Sequence, residues 1–65
     1  MRVAKLAQFE VYRDNALLFR WQLRDDANRI LAESSEGYHN RSDCENAVSL
    51  VRSIVPNAKI VLNNT

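Results

Sequence analysis

Apolar and polar residues alternate along the first half of the chain, which predicts β-strands with one buried and one exposed face. From Leu6 to Arg13 the chain contains the β-favouring residues Phe9, Val11 and Tyr12, which predict a first strand. The alternation is clearest from Leu17 to Asp25, where four apolar side chains share one face: Leu17, Phe19, Trp21 and Leu23. We therefore expect an antiparallel sheet that packs one face against a core and exposes the other.

Turn-forming residues separate the predicted strands. Asp14-Asn15-Ala16 predicts a hairpin connection, because Asp and Asn side chains bond their own backbone. A second turn at Asp25-Asp26-Ala27-Asn28 offers Asn28 as the residue with left-handed backbone conformation. Arg29 to Ser35 then predicts a third strand, although the run Ile30-Leu31-Ala32 does not alternate and leaves its inward residue open.

The second half of the chain predicts one amphipathic helix and a short final strand. Gly37, the only glycine, is expected to end the sheet with a positive φ. Ser42 and Glu45 have the spacing of a capping box, and Pro56 is expected to stop the helix. Ala58 to Leu62 is short and β-branched, which predicts a strand. The helix carries an apolar stripe at steps of three and four: Cys44, Ala47, Val48, Val51, Ile54 and Val55.

Length and composition indicate a single small domain over residues 1–65 that needs extra stabilisation. A chain of 65 residues buries only about 60% of the surface that its unfolded form exposes, so its stability is expected to be marginal. With one cysteine and one histidine the chain offers neither a disulfide nor a metal site. Oligomerisation remains as the common way to stabilise so small a domain. A net charge of +1 predicts no strong attraction to nucleic acid or membranes. Residues 1–7 lack the apolar region of a signal peptide, so we expect a cytoplasmic protein without cofactor, metal or membrane.

Three segments resemble the YegP-like family of small uncharacterised domains. They are FEVYRD, FRWQLRDDANRILAESSEGY and CENAVSLV, and together they extend from Phe9 to about Val51. The most specific parts are the alternating arginine and aromatic residues around Trp21 and the motif Glu36-Gly37-Tyr38. The resemblance implies a structural role for these four motif residues and assigns them no chemistry.

The same resemblance implies a β-β-β-α-β unit of the α+β class, with one helix on one face of an antiparallel sheet. Members of the family are tandem repeats or paired subunits that join into a single sheet by exchanging their C-terminal strands. Because this chain has one copy of the unit, the resemblance implies a homodimer that exchanges the strand from Ala58 to Leu62. The small core and the lack of a disulfide or a structural metal favour the same assembly.

The exposed sheet face is the first place to look for another function. It is expected to carry Tyr12, Arg20, Gln22 and Arg24, together with Glu10. Guanidinium groups beside an aromatic ring are typical of sheets that bind single-stranded nucleic acid, which makes binding of nucleic acid an alternative function. Mixed charges on an exposed sheet face are also an ordinary solution to solubility.

A second alternative is thiol chemistry at Cys44. This thiol is expected in the first helical turn, where the helix dipole lowers a thiol pKa. The competing interpretation is a small buried apolar residue, which is the commoner role of a free cysteine. We therefore predict a non-enzymatic domain with an interaction or structural role, with nucleic-acid binding and thiol-dependent activity as the alternatives.

Overall fold

The computed structural model describes residues 7–64 as a three-stranded antiparallel sheet followed by one helix. The predicted α+β class is therefore confirmed. The first predicted strand began at Leu6, which lies outside the described residues, as does most of the segment considered for a signal peptide. The elements are β1 (Gln8–Arg13), β2 (Phe19–Arg24), β3 (Ile30–Glu33), α1 (Arg41–Ile54) and a 3₁₀ turn (Val55–Asn57).

The strands lie in the order β1-β2-β3, and their register fixes the two faces of the sheet. Val11 pairs with Trp21 and Phe9 with Leu23, so the apolar residues of both strands share the inner face. The register of the β2–β3 pairing shifts between Leu23 and Arg24. Leu23 pairs with Ala32 and Arg24 pairs with Ile30, so Leu31 has no partner in β2. This bulge explains why the sequence around Leu31 does not alternate.

The two hairpin turns have the same construction. Asp14 and Asp25 each accept, through Oδ1, the N–H groups two and four residues further on. The residue three positions after each aspartate has a positive φ, 67° at Asn28 and 65° at Leu17. The left-handed conformation of Asn28 is as predicted. Leu17 was predicted on the inner face of β2 and instead lies in the first turn with 66% of its surface exposed.

Helix α1 begins one residue before the predicted capping serine, so the predicted capping box is wrong. Asn40 is the N-cap with extended backbone and no side-chain cap hydrogen bond. Its amide donates to Asp43 Oδ2 at 3.3 Å. Glu45 bonds the Nε–H of Arg41 at 3.2 Å, one turn earlier in the helix, rather than the N–H of Ser42. The helix ends at Ile54, and Pro56 lies in the 3₁₀ turn that follows, as the sequence indicated.

The apolar stripe of α1 packs on the sheet along only part of its length. Cys44 is fully buried, and Val48 and Val51 are half-buried. Toward the C-terminal end, Ile54 and Val55 are 53% and 57% exposed. The core is therefore closed at the start of the helix and open at its end.

The segment from Ala58 to Leu62 forms no strand in this structure, contrary to the prediction. The chain leaves the 3₁₀ turn with extended backbone at Ala58 and pairs with no edge of the sheet. Its apolar side chains are almost fully solvated, with Ile60 at 90% and Leu62 at 88% exposure. The fourth strand of the predicted β-β-β-α-β unit is thus absent from the isolated chain.

Candidate interaction surfaces

The structure brings the predicted residues Tyr12, Arg20, Gln22 and Arg24 together on the outer face of the sheet. Tyr12 lies opposite Arg20 in the β1–β2 register and is 37% exposed. Gln22 and Arg24 both donate to the same carboxylate oxygen, Glu10 Oε1, at 2.9 and 3.0 Å. The four predicted residues therefore form one surface, of which Glu10 is an integral part.

Both arginines of this surface are already paired with carboxylates. The Nε–H of Arg20 donates to Asp14 Oδ2 at 2.7 Å, and that of Arg24 donates to Glu10 at 3.0 Å. Arg24 also donates to the backbone oxygen of Asn28 at 2.9 Å. A guanidinium bound in this way offers less charge to a phosphate, because the neighbouring carboxylate offsets it. Nucleic-acid binding by this face stays a prediction.

The carboxylates respond to these partners. Hydrogen bonds from Gln22 and then Arg24 hold the pKa of Glu10 below its usual value. The pKa of Asp14 is also lowered, first by the backbone N–H of Leu18 and then by the side chain of Arg20. Both shifts favour the ionised carboxylate, so the ion pairs of this face are kept at neutral pH.

Cys44 lies at the closed end of the core with none of its surface exposed. Burial raises the pKa of its thiol, and the nearby carboxylate of Glu45 adds to the increase. A reactive thiol needs the opposite conditions, an accessible sulfur with a lowered pKa. The surroundings of Cys44 agree with the interpretation of a core residue.

Three of the four motif residues hold the closed end together. Trp21 is buried, and its backbone N–H donates to Ser34 Oγ at 3.2 Å. Its ring meets that of Phe9 edge to face, with 5.6 Å between the ring centroids. Tyr38 forms an isolated bridge with Phe19, exchanging backbone hydrogen bonds of 2.7 and 2.8 Å. Desolvation, the largest cause, raises the pKa of Tyr38. The fourth motif residue, Glu36, is exposed.

Gly37 is required for a reason other than the one predicted. Its φ is not positive, so backbone freedom is not what the position needs. A Cβ atom at this position would lie 2.7 Å from Leu18 Cβ and 2.8 Å from Leu18 Cδ1. Glycine is therefore needed because the chain passes close against Leu18 on its way to the Tyr38 bridge.

An apolar groove of about 720 Å³ lies at the open end of the core, between the sheet and the C-terminal half of α1. The sequence carries no signal for this groove. An apolar stripe predicts burial along the whole helix, whereas the exposure of Ile54 and Val55 depends on how the helix lies on the sheet. Its walls come from all three strands and from the helix, and include Phe9, Trp21, Leu23, Ala32, Val48 and Val51.

Comparison with known proteins places the chain in a family. A family model described as "Domain of unknown function (DUF1508)" matches residues 14–61, which is well over half of the chain. The chain belongs to this family. The match includes β2, β3 and α1, and the resemblance to YegP-like domains is thereby confirmed.

Curated relatives of the DUF1508 chain carry the name UPF0339. A UPF0339 protein of Neisseria meningitidis serogroup B is 38% identical over 45 residues, which are 69% of this chain and 79% of the relative. A UPF0339 protein of Methanosarcina acetivorans is 33% identical over 57 residues, or 88% of this chain and 97% of the relative. Their names assign neither an activity nor a ligand.

A solved structure shares the fold of this DUF1508 domain. The solution NMR structure of a protein from Haloferax volcanii superposes with a TM-score of 0.80 and 35% sequence identity. The match covers 88% of this chain and 95% of that protein. Within residues 7–64 no helix has the length and apolar character to cross a bilayer. The same residues contain no group of three or more side chains suited to hold a metal ion.

Proposed function

We propose that this DUF1508 domain is a non-enzymatic interaction module whose first partner is a second copy of itself. The contact is made by the C-terminal segment, residues 58–62, exchanged between two chains. The observation that carries the proposal is the state of this segment. It extends from the fold with Ile60, Val61 and Leu62 exposed by 90%, 72% and 88%.

The small core of the isolated chain supports the need for a partner. Among residues 7–64 only Trp21 and Cys44 are buried apolar residues. Domains near 60 residues are marginally stable even when their cores are well filled. Large apolar side chains on the surface favour association, and a row of three β-favouring aliphatic residues is suited to add a strand to an open sheet edge.

The charged and nucleophilic groups of the described residues give no comparable support to an enzyme. The thiol of Cys44 is buried, and Glu10, Asp14, Arg20 and Arg24 are engaged with one another. An active site needs groups that remain available to a substrate within a cleft. The non-enzymatic proposal rests on this arrangement of paired and buried groups.

Light scattering on the purified chain tests the proposal. We expect a dimer at micromolar concentration and a monomer, or an unfolded chain, for the double variant Ile60→Asp with Leu62→Asp, because two buried charges cannot be accommodated in a sheet contact. The matched control is Asn63→Asp with Asn64→Asp, which adds the same charge directly after the segment and should remain dimeric. Circular dichroism separates dissociation from unfolding.

A shortened chain ending after Asn57 provides a second test. Removal of residues 58–65 should abolish dimer formation and lower the midpoint of thermal unfolding. A full-length chain that is monomeric at all concentrations, or a dimer that survives both the charges and the truncation, would contradict the proposal.

A further inference from the structure

The turn between α1 and the exposed C-terminal segment is short and stiff. The helix ends at Ile54, and the next three residues, Val55–Asn57, form a 3₁₀ turn with a proline at its start. Pro56 holds its own φ at about −65° and removes a backbone donor. The N–H of Ala58 donates to the backbone oxygen of Val55 at 3.0 Å and closes the turn. The direction in which the chain leaves the helix is therefore set by local geometry.

The exit from α1 differs from the helix ends that reverse the chain. Such ends place a residue, most often glycine, in left-handed conformation directly after the helix. Here Val55 has φ −57° and ψ −42°, which is still helical, and Ala58 has φ −72° and ψ 136°, which is extended. Among the described residues after the helix, 55–64, none has a positive φ. The chain's one glycine is Gly37, so this part of the sequence offers no residue suited to a reversal.

The segment beyond the turn is solvated in spite of its composition. Ile60 and Leu62 are 90% and 88% exposed, although both are aliphatic residues whose burial lowers the free energy. A return to the sheet of its own chain would bury them, and it would need a change of direction within the three residues of the turn. The connection, rather than the chemistry of the segment, keeps the segment apart from its own sheet.

We propose that the 3₁₀ turn Val55–Asn57 is the device that determines whether the segment, residues 58–62, is exchanged or retained. A connection that is too short and stiff to reverse disfavours the closed single chain and thereby favours exchange with a second copy. This inference rests on the proposed dimer and adds what controls it. A chain with a longer, flexible turn retains its own segment and is a monomer.

Insertion of Gly-Ser-Gly-Gly between Asn57 and Ala58 tests the device in the full chain. The added residues supply the length and the positive φ that a reversal needs. A segment on a short flexible linker competes at a millimolar effective concentration, so we expect the dimer dissociation constant, measured by analytical ultracentrifugation, to rise at least about 100-fold. The matched control inserts the same four residues between Leu62 and Asn63. It leaves the turn unchanged and should keep the dissociation constant within about threefold.

Stability distinguishes a retained segment from one that is merely released. The lengthened monomer should unfold at a urea midpoint that is independent of protein concentration and higher than that of the chain ending after Asn57. A lengthened monomer no more stable than the shortened chain would overturn the inference and leave the proposed dimer intact. A lengthened chain that still forms the dimer, or that unfolds while its control stays folded, would overturn it as well, because neither has retained its segment.

Pro56→Gly separates the stiffness of the turn from its length. The variant keeps three residues in the turn and frees the backbone of one, so we expect the dissociation constant to rise about tenfold, less than on insertion. Asn63→Gly is the matched control, since it adds a glycine beyond the segment, and it should change the dissociation constant by less than about twofold. A dissociation constant unaffected by Pro56→Gly would overturn the role of stiffness. An unaltered chain that is monomeric would overturn both the device and the proposed dimer.

Discussion

The two ends of the contact between sheet and helix are built differently. At the start of α1 the core is closed around Cys44, which has no exposed surface, and Tyr38 is bridged to Phe19 by two backbone hydrogen bonds. At the other end the helix and sheet diverge around a groove of about 720 Å³, and Val55 is 57% exposed. The same helix therefore buries its apolar side chains at its start and leaves them exposed at its end.

The difference teaches that the described residues bury a well-packed core at the start of the helix and leave apolar surface exposed at its end. The closed end is held by specific contacts between strand and loop: the close approach of Gly37 to Leu18, the backbone bridge of Tyr38 and the Ser34 hydroxyl, which accepts from the backbone N–H of Trp21. The open end has only apolar surface, which gains free energy when water is removed from it. Changes at the closed end should therefore affect folding, and changes at the open end should affect association.

Trp21 contributes to both ends, so its removal should have the largest effect. Trp21→Ala deletes a side chain that is 8% exposed, and we expect a loss of about 3–5 kcal/mol in the free energy of unfolding. A domain this small does not tolerate such a loss. Circular dichroism at 25 °C should show an unfolded chain. Tyr12→Ala on the outer face is the control and should remain folded.

The accessibility of thiols should distinguish the two halves of the helix. Cys44 should react with an alkylating reagent only when the domain unfolds, because it is fully buried and burial raises the pKa of its thiol. A cysteine placed at Leu50, which is 59% exposed, in a Cys44→Ala background should react at least about 100-fold faster in the folded chain. Equal rates would reopen thiol chemistry at Cys44.

Gly37→Ala tests the closed end directly. The added methyl group would lie 2.7 Å from Leu18 Cβ, so the chain must shift, and we expect a destabilisation of about 1–3 kcal/mol in urea unfolding. At the open end, Ala32→Val adds volume beside an empty groove and should change stability by less than about 0.5 kcal/mol. Similar costs at the two positions would remove the distinction between the ends.

The two hairpin turns allow a finer test, because they differ in the residue that has a positive φ. Leu17 has φ 65° and is mostly exposed, so Leu17→Gly should relieve strain at little cost in packing. We expect stabilisation by about 0.5–1 kcal/mol, seen as a higher urea midpoint. Asn28→Gly is the matched control and should be nearly neutral, since asparagine tolerates this conformation.

The smallest effect should come from acid. The pKa of Asp14 is held below its usual value, first by the backbone N–H of Leu18, and the pKa of Asp25 is lowered likewise, first by the backbone N–H of Arg29. A lowered folded pKa stabilises the protein above the unfolded value, and this stabilisation is lost as the pH falls through the folded value. Urea midpoints should therefore drop below about pH 4, and less so in Asp14→Asn with Asp25→Asn. A midpoint that rises on acidification would contradict the assignment.

The strands and the positions of the turns could be predicted because their signals are local. Period-two alternation identified β1 and β2, and an aspartate that bonds the following backbone identified both turns. Asn28 was predicted correctly because its residue type favours a left-handed conformation. The positive φ of Leu17 was not predicted, because leucine does not favour a left-handed conformation. Its neighbours nevertheless place it at the turn position that Asn28 occupies in the second hairpin.

The remaining differences depend on tertiary structure. Asn40 and Ser42 are both residues that favour the N-cap position, and they lie two positions apart. The capping-box motif favoured Ser42, whereas the helix has Asn40 as its N-cap. The reason for Gly37 became evident only when Leu18 was found beside it. The groove and the unpaired C-terminal segment could not be read from an apolar stripe, because the stripe specifies which side faces the sheet but not how closely it approaches.

The bulge at Leu31 has a consequence for solubility. β3 is an edge strand of four residues whose register is broken, whereas the opposite edge, β1, has six residues in unbroken register with β2. An irregular, short edge is a poor template for another strand, and proteins use such irregularities to prevent their sheets from growing into fibrils. One broken pairing thus acts as a stop at one side of the sheet, and it leaves a single regular edge from which a sheet can be extended.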